Sequence, residues 1–248
     1  MRERFWEIDA LRGIAVVAMV LYHFSYDLAY FGLFDVGFFR SGLGLNTGRL
    51  IGGSFIFLAG LSLTLSYGRA TASRASGGKL FRKYLSRGLR IFSYGLAITL
   101  LTWIFLPNEM IVFGILHLIG ASIILAYPFL NLKLANVALG VACIAIGFLL
   151  RGLDVDSPWL VWLGTDPTFF MLDYWPIFPW FGVMLLGVAA GNALYGDRMK
   201  RTTPPTPRPQ ALLPLAFLGR HSLAVYLIHQ PVLLAALISL GVGNVGLL

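Results

Sequence analysis

Three ionisable residues lie in the first apolar stretch of the chain: Arg12, His23 and Asp27. A charge inside a membrane-length segment is costly to keep and marks a functional position. Arg12 and His23 are eleven positions apart, which returns to within about 20° of one helix face, about 16 Å along the axis. They address one groove at two depths. Asp27 follows His23 by one helical turn, within side-chain reach. A carboxylate that fixes the tautomer and stabilises the imidazolium makes His23 a better general base, with Arg12 at the cytoplasmic mouth of the same groove. The structural alternative is a buried His satisfied locally, with Arg12 snorkelling to lipid phosphate. Asp9, three residues before Arg12, is expected as an N-cap and ion-pair partner.

His117 stands about seven residues from the outer end of its own apolar stretch, as His23 does, so the two imidazoles are expected at one depth. His117 would then donate to a developing oxyanion. His229 lies mid-membrane in the last apolar stretch, two residues before Pro231. It is assigned a structural role there, as is the interfacial His221. Four histidines and the lone Cys143, without carboxylates at ligand spacing, give no zinc site and no metal requirement.

The elements that hold these residues follow from composition. Of 248 residues, 58% are hydrophobic and 12% charged, about half the charged fraction of a soluble domain. At about 20 apolar residues per crossing the length accommodates seven, at most eight, transmembrane helices. The fold class is therefore all-α: one polytopic membrane bundle, a single domain over 1–248. Helices are expected at about Ala10–Tyr30, Gly48–Tyr67, Leu89–Leu106, Met110–Leu130, Leu134–Leu150, Ile177–Tyr195 and Gly219–Leu240. Pro107-Asn108, Asn131-Leu132-Lys133 and the proline run Thr203–Pro209 supply breaks. The first helix lacks a cleavage signature and is expected to stay as a signal anchor. Small residues in Gly52–Gly60 suit close helix packing.

Seven crossings sort the charges. Sixteen of the 19 Lys and Arg fall on one side, whereas the other side holds only Arg40, Arg49 and Arg151 beside Asp35, Glu109, Asp154, Asp156, Asp166 and Asp173. The basic side is cytoplasmic by the positive-inside rule, which puts the N-terminus inside. The net charge of +8 is thus a cytoplasmic rim, and nucleic acid is not a partner. Its densest part, Arg69 to Arg90, has seven basic residues and no acid. It meets anionic lipid headgroups or, through Arg82, Lys83, Arg87 and Arg90, a polyanionic cytosolic ligand. On the outer side Asp173, Tyr174 and Trp175 combine an acid with interfacial aromatics, which anchor the loop or receive a sugar or amine.

The ordered motifs Glu7–Ala15, Phe55–Gly60, Phe113–His117, Asp173–Trp180 and Leu218–Ser222 resemble the prokaryotic branch of the heparan-alpha-glucosaminide N-acetyltransferase catalytic-domain family. The resemblance extends from the first helix to the last. It implies an integral plasma-membrane acyltransferase that moves an acetyl or short acyl group from cytosolic acyl-CoA, acetyl-CoA above all, to a hydroxyl or amine of an extracytoplasmic sugar. Related bacterial O-acyltransferases carry an Arg followed after ten residues by a His in the first helix, and Arg12 and His23 match that spacing. The eukaryotic heparan enzymes place their active-site His beyond the first helix, where this chain reads Tyr30–Asp35 and has none.

These readings converge on one mechanism. Acyl-CoA phosphates meet Arg12 and the basic patch, His23 oriented by Asp27 deprotonates the acceptor, and His117 stabilises the oxyanion. The bilayer, acyl-CoA and an outer glycan are the expected partners, and the assembly is compatible with a homodimer. The competing class is a proton-coupled transporter or exporter in which His23, Asp27 and His117 relay protons.

Overall fold

A computed structural model describes residues 5–73, 77–151, 153, 158–165, 173–196 and 209–242. Among these, every regular element is helical. The chain runs through α1 (Trp6–Tyr30), α2 (Gly37–Arg40), α3 (Gly42–Ala72), α4 (Gly77–Phe105), α5 (Ile115–Leu125), α6 (Ala135–Leu150), α7 (Ile177–Tyr195), α8 (Leu213–Arg220) and α9 (Ser222–Ser239). The long apolar helices α1, α3, α4, α7 and α9 are competent to cross a bilayer, and α5 and α6 are shorter apolar helices. The protein is an all-α polytopic membrane protein. Large apolar side chains such as Leu11 and Leu21 on α1, Trp103 and Phe105 on α4 and Phe148 on α6 are exposed, the surface that lipid covers.

Several boundaries differ from expectation for physical reasons. Helix α4 begins at Gly77, twelve residues before the expected Leu89, because Lys and Arg are good helix formers and continue the helix past the apolar run. Its buried residues Leu80, Tyr84 and Gly88 recur every four positions, while Lys79, Arg82, Lys83, Arg87 and Arg90 are exposed. Helix α5 is shorter than Met110–Leu130: Gly114 is extended at its start, and a 3-10 turn at Tyr127–Phe129 follows its end. Its 11 residues reach only about 16 Å, and protein buries most of them. The expected last helix is two helices, with His221 out of helical geometry between α8 and α9. Arg2, Arg4, Arg74, Asp154, Asp156, Asp166, Arg198, Lys200, Arg201, Arg208 and most of the proline run lie outside the described residues.

The chain forms two compact units, 1–55 with 204–248 and 56–203; the division falls within α3. In the first unit α1 packs on α8 and α9. A methyl group on Gly13 would fall on the Leu215 carbonyl oxygen, and one on Gly219 on the Asp9 carbonyl oxygen. Glycine at both positions lets the α1 and α8 backbones touch. At the start of α3, Ser41 Oγ accepts the Gly44 N–H at 3.2 Å, satisfying one of the donors a helix start leaves free.

In the second unit α6 packs on α7 and α4 on α5. Helix α7 meets α3 where Gly187 lies against the Phe57 carbonyl, and Thr64 Oγ1 donates to the Val188 carbonyl at 3.1 Å. The first unit thus carries His23 and Asp27, and the second carries His117 and Asp173.

Candidate active site

His23 is held by its own helix. Its Nδ1 lies 2.9 Å from the Met19 carbonyl oxygen. A carbonyl only accepts, so Nδ1 carries the hydrogen and Nε2 carries the lone pair. Asp27 does not bond His23. Its Oδ1 instead accepts from Gln230 Nε2 of α9 at 2.6 Å. The orienting group expected of Asp27 is supplied by the main chain one turn back.

The neighbour of His23 is His229, with ring centroids 4.9 Å apart and planes at 72°. His229 Nδ1 lies 2.6 Å from the Tyr226 carbonyl, which fixes the same tautomer by the same logic. Two imidazoles with both Nδ1–H groups spent on backbone, and both lone pairs on Nε2, therefore stand together. Asp27 is 3% and His229 8% exposed. Three atoms of the cluster are buried with no hydrogen-bond partner: Asp27 Oδ2, Gln230 Oε1 and His229 Nε2. Each is an acceptor. A fully buried polar group without a partner costs about 1–3 kcal/mol, so three together point to a ligand rich in hydrogen-bond donors.

Toward the other end of α1, Asp9 joins two guanidiniums. Its Oδ1 pairs with Arg12 Nη1 and its Oδ2 with Arg220 Nε, each at 3.3 Å. The expected partnership with Arg12 is present. The N-cap is Phe5 rather than Asp9. One carboxylate thus joins α1 to the end of α8 through two guanidiniums.

His117 sits in the second unit with both nitrogens engaged. The Gly114 N–H donates to its Nδ1 at 3.2 Å, so Nε2 is the protonated nitrogen and faces Thr99 Oγ1 at 3.3 Å. Thr99 in turn donates to the Ile111 carbonyl at 2.7 Å. The ring stacks on Phe113 and meets the edge of Phe92. A side chain at Gly95 would strike it.

Asp173, Tyr174 and Trp175 are likewise tied into the second unit. Asp173 Oδ2 accepts the Ile115 N–H at 3.0 Å, at the start of α5, and Oδ1 accepts from the Trp175 indole N–H. Burial raises the pKa of this carboxyl, against the pull of the two donors. Tyr174 Oη bonds the Val161 and Thr165 carbonyls at 2.7 and 2.8 Å, and Trp175 lies against Trp180. On α4, Lys83 Nζ bonds Ser66 Oγ at 3.2 Å, while Arg82, Arg87 and Arg90 present an exposed basic face.

The family model described as heparan-alpha-glucosaminide N-acetyltransferase, catalytic, matches residues 4–231. The chain belongs to this family. No curated protein and no solved structure matches the chain. Membership in an acetyltransferase family, with helices long and apolar enough to cross a bilayer, makes it an integral multi-pass membrane protein of acetyltransferase type. Acetyl-CoA is the donor in that family in general. The matched region contains His23, Asp27, His229 and Gln230, and also Asp9, Arg12 and Arg220.

Sequence reasoning did not single out three members of these clusters as site residues. Arg220 entered only as a cytoplasmic charge and as part of the Leu218–Ser222 motif, Gln230 was given no role, and His229 was read as structural. The available signal was the adjacent polar pair His229-Gln230 inside an apolar helix just before Pro231, but nothing local links it to Asp27, 203 positions away.

Proposed function

We propose that the protein transfers an acetyl group from cytosolic acetyl-CoA to an amine of an extracytoplasmic sugar, with His23 as general base. The observation that carries this reading is the His23–His229–Asp27–Gln230 cluster. It offers two imidazole lone pairs and two side-chain oxygens, and an ammonium or amine supplies the N–H donors that such a set requires. An amine is also the acceptor that the family name specifies. A hydroxyl, with one donor, answers fewer of these acceptors.

In this account the first unit carries the chemistry. The Arg12 and Arg220 guanidiniums, held by Asp9, meet a phosphate of the donor. The acceptor nitrogen is held at Asp27 Oδ2 and Gln230 Oε1. His23 Nε2 takes a proton as the nitrogen attacks the thioester carbonyl, and returns it to the departing sulfur. The exposed basic residues of α4, Arg82, Lys83, Arg87 and Arg90, meet phosphate at the cytoplasmic surface. His117 is assigned a packing role, because its only N–H is directed to Thr99. Asp173, Tyr174 and Trp175 position the start of α5 and the chain before α7. The membrane is the plasma membrane, with the N-terminus inside.

Asp27→Asn tests the acceptor site. It keeps the size of the side chain and the bond to Gln230 while removing the charge that faces an ammonium. The expected result is a KM for an amino sugar raised about tenfold, about 1.4 kcal/mol of lost binding, with the KM for acetyl-CoA unchanged. Steady-state release of free CoA by the purified protein reads both constants. An unchanged acceptor KM contradicts the assignment of Asp27.

A further inference from the structure

We infer that His229 is a second base, paired with His23, which converts the arriving ammonium to the free amine before His23 serves the attack. The inference rests on the amine acceptor proposed above and deepens it. An amino group in water at neutral pH is largely an ammonium, with no lone pair to attack a thioester. It must lose one proton before attack and a second as the amide forms. One imidazole that returns its proton to the sulfur in every cycle accounts for only one of the two.

The structure provides two imidazoles in matching states. Met19 and Tyr226 carbonyls hold the two Nδ1–H groups at 2.9 and 2.6 Å, which leaves Nε2 basic on both rings. The ring centroids are 4.9 Å apart, so the two bases belong to one site. His229 Nε2 is buried with no partner. His229 therefore has no structural bond that uses its lone pair. This distinguishes it from His117, whose lone pair is spent on a backbone N–H. The ionisable groups that meet His229 are His23 from α1 and Tyr226 of its own helix, at 4.9 and 5.7 Å between rings. Asp27 is one step away through Gln230.

The steps balance. R–NH3+ gives a proton to His229 Nε2 and becomes R–NH2. The amine lone pair forms a bond to the acetyl carbonyl carbon, and His23 Nε2 takes the second proton. The carbon–sulfur bond breaks, its electron pair stays on sulfur, and the His23 imidazolium protonates that sulfur to give the CoA thiol. His229 then returns its proton to solvent. One proton is released per amide formed.

The two roles separate with pH. His229→Asn retains an N–H where Nδ1–H stands, able to keep the bond to Tyr226, but has no basic nitrogen. Free CoA release with glucosamine as the acceptor probe is measured in reconstituted wild type, His229→Asn and His229→Gln, from below to above the ammonium's own pKa. The expected result is a kcat/KM deficit of at least about tenfold at the low-pH end, closing as pH rises and solvent performs the first deprotonation. The His23→Ala deficit stays at every pH. Size-exclusion profiles matching wild type establish that the variants are folded, and the Gln variant serves where Asn does not fold. Equal activity of wild type and the His229 variants at every pH, or a deficit independent of pH, overturns the second base and leaves the acetyltransferase reading standing. A wild type that releases no CoA overturns both.

Discussion

His23→Ala is expected to reduce acetyl transfer by about 10²–10⁴-fold, the usual contribution of a positioned general base. The decisive feature is the lone pair on Nε2. The Met19 carbonyl holds Nδ1 as the donor, so the basic nitrogen is the one directed away from the backbone of α1. Alanine is a good helix former, and the backbone bonds of α1 do not depend on the imidazole. The variant therefore folds, and the loss appears in kcat. His23→Gln restores a polar group without a base and is expected to remain as inactive as alanine. CoA release by either variant at the wild-type rate, in protein with an unchanged melting temperature, contradicts the role of His23.

The second large effect is on the fold. Gly219→Leu is expected to destabilise the first unit by more than ~3 kcal/mol, beyond the usual range for overpacked sites, and to abolish the folded protein. A side chain at this position falls on the Asp9 carbonyl oxygen, with the Gly13 backbone nitrogen close behind. Both are main-chain atoms of α1, which do not rotate aside as a side chain does. To make room, α8 must withdraw from α1, and Arg220 would move away from Asp9. Thermal melting in detergent reads the change directly. A Gly219→Leu variant that melts within a few degrees of wild type shows that the α1–α8 contact does not support the unit.

Much of the fold was legible because lipid imposes a simple rule. The apolar runs that became α6 and α7 have ends close to those expected, because Arg151 follows the one and Pro176 precedes the other. The early start of α4 follows from local helix propensity, whereas the start of α5 and the break between α8 and α9 depend on tertiary partners. The start of α5 is set by Gly114 and by Asp173, 58 positions away, which accepts the Ile115 N–H. The break at His221 lies beside Gly219, which is pressed against α1. Neither constraint has a local signature.

The candidate site shows the same division. Arg12, His23 and Asp27 were found from spacing on one helix, and Asp9 was found as the partner of Arg12. Their second partners, Arg220, His229 and Gln230, come from the far end of the chain. The i, i+4 relation correctly put Asp27 within a turn of His23. It could not show that Gln230 would take the carboxylate and that a backbone carbonyl would take the imidazole. His117 was paired with His23 by depth alone. The bonds to Gly114 and Thr99, which depend on the extended geometry of Gly114, occupy it within its own unit.

Acetyl transfer from CoA to an amine across the bilayer is tested by sealed proteoliposomes with the protein's cytoplasmic face outward, acetyl-labelled acetyl-CoA outside and glucosamine inside. Free CoA is expected to accumulate outside in step with labelled N-acetylglucosamine inside, both absent with His23→Ala. Movement of solute across the membrane with acetyl-CoA left intact would contradict it and make the protein a transporter.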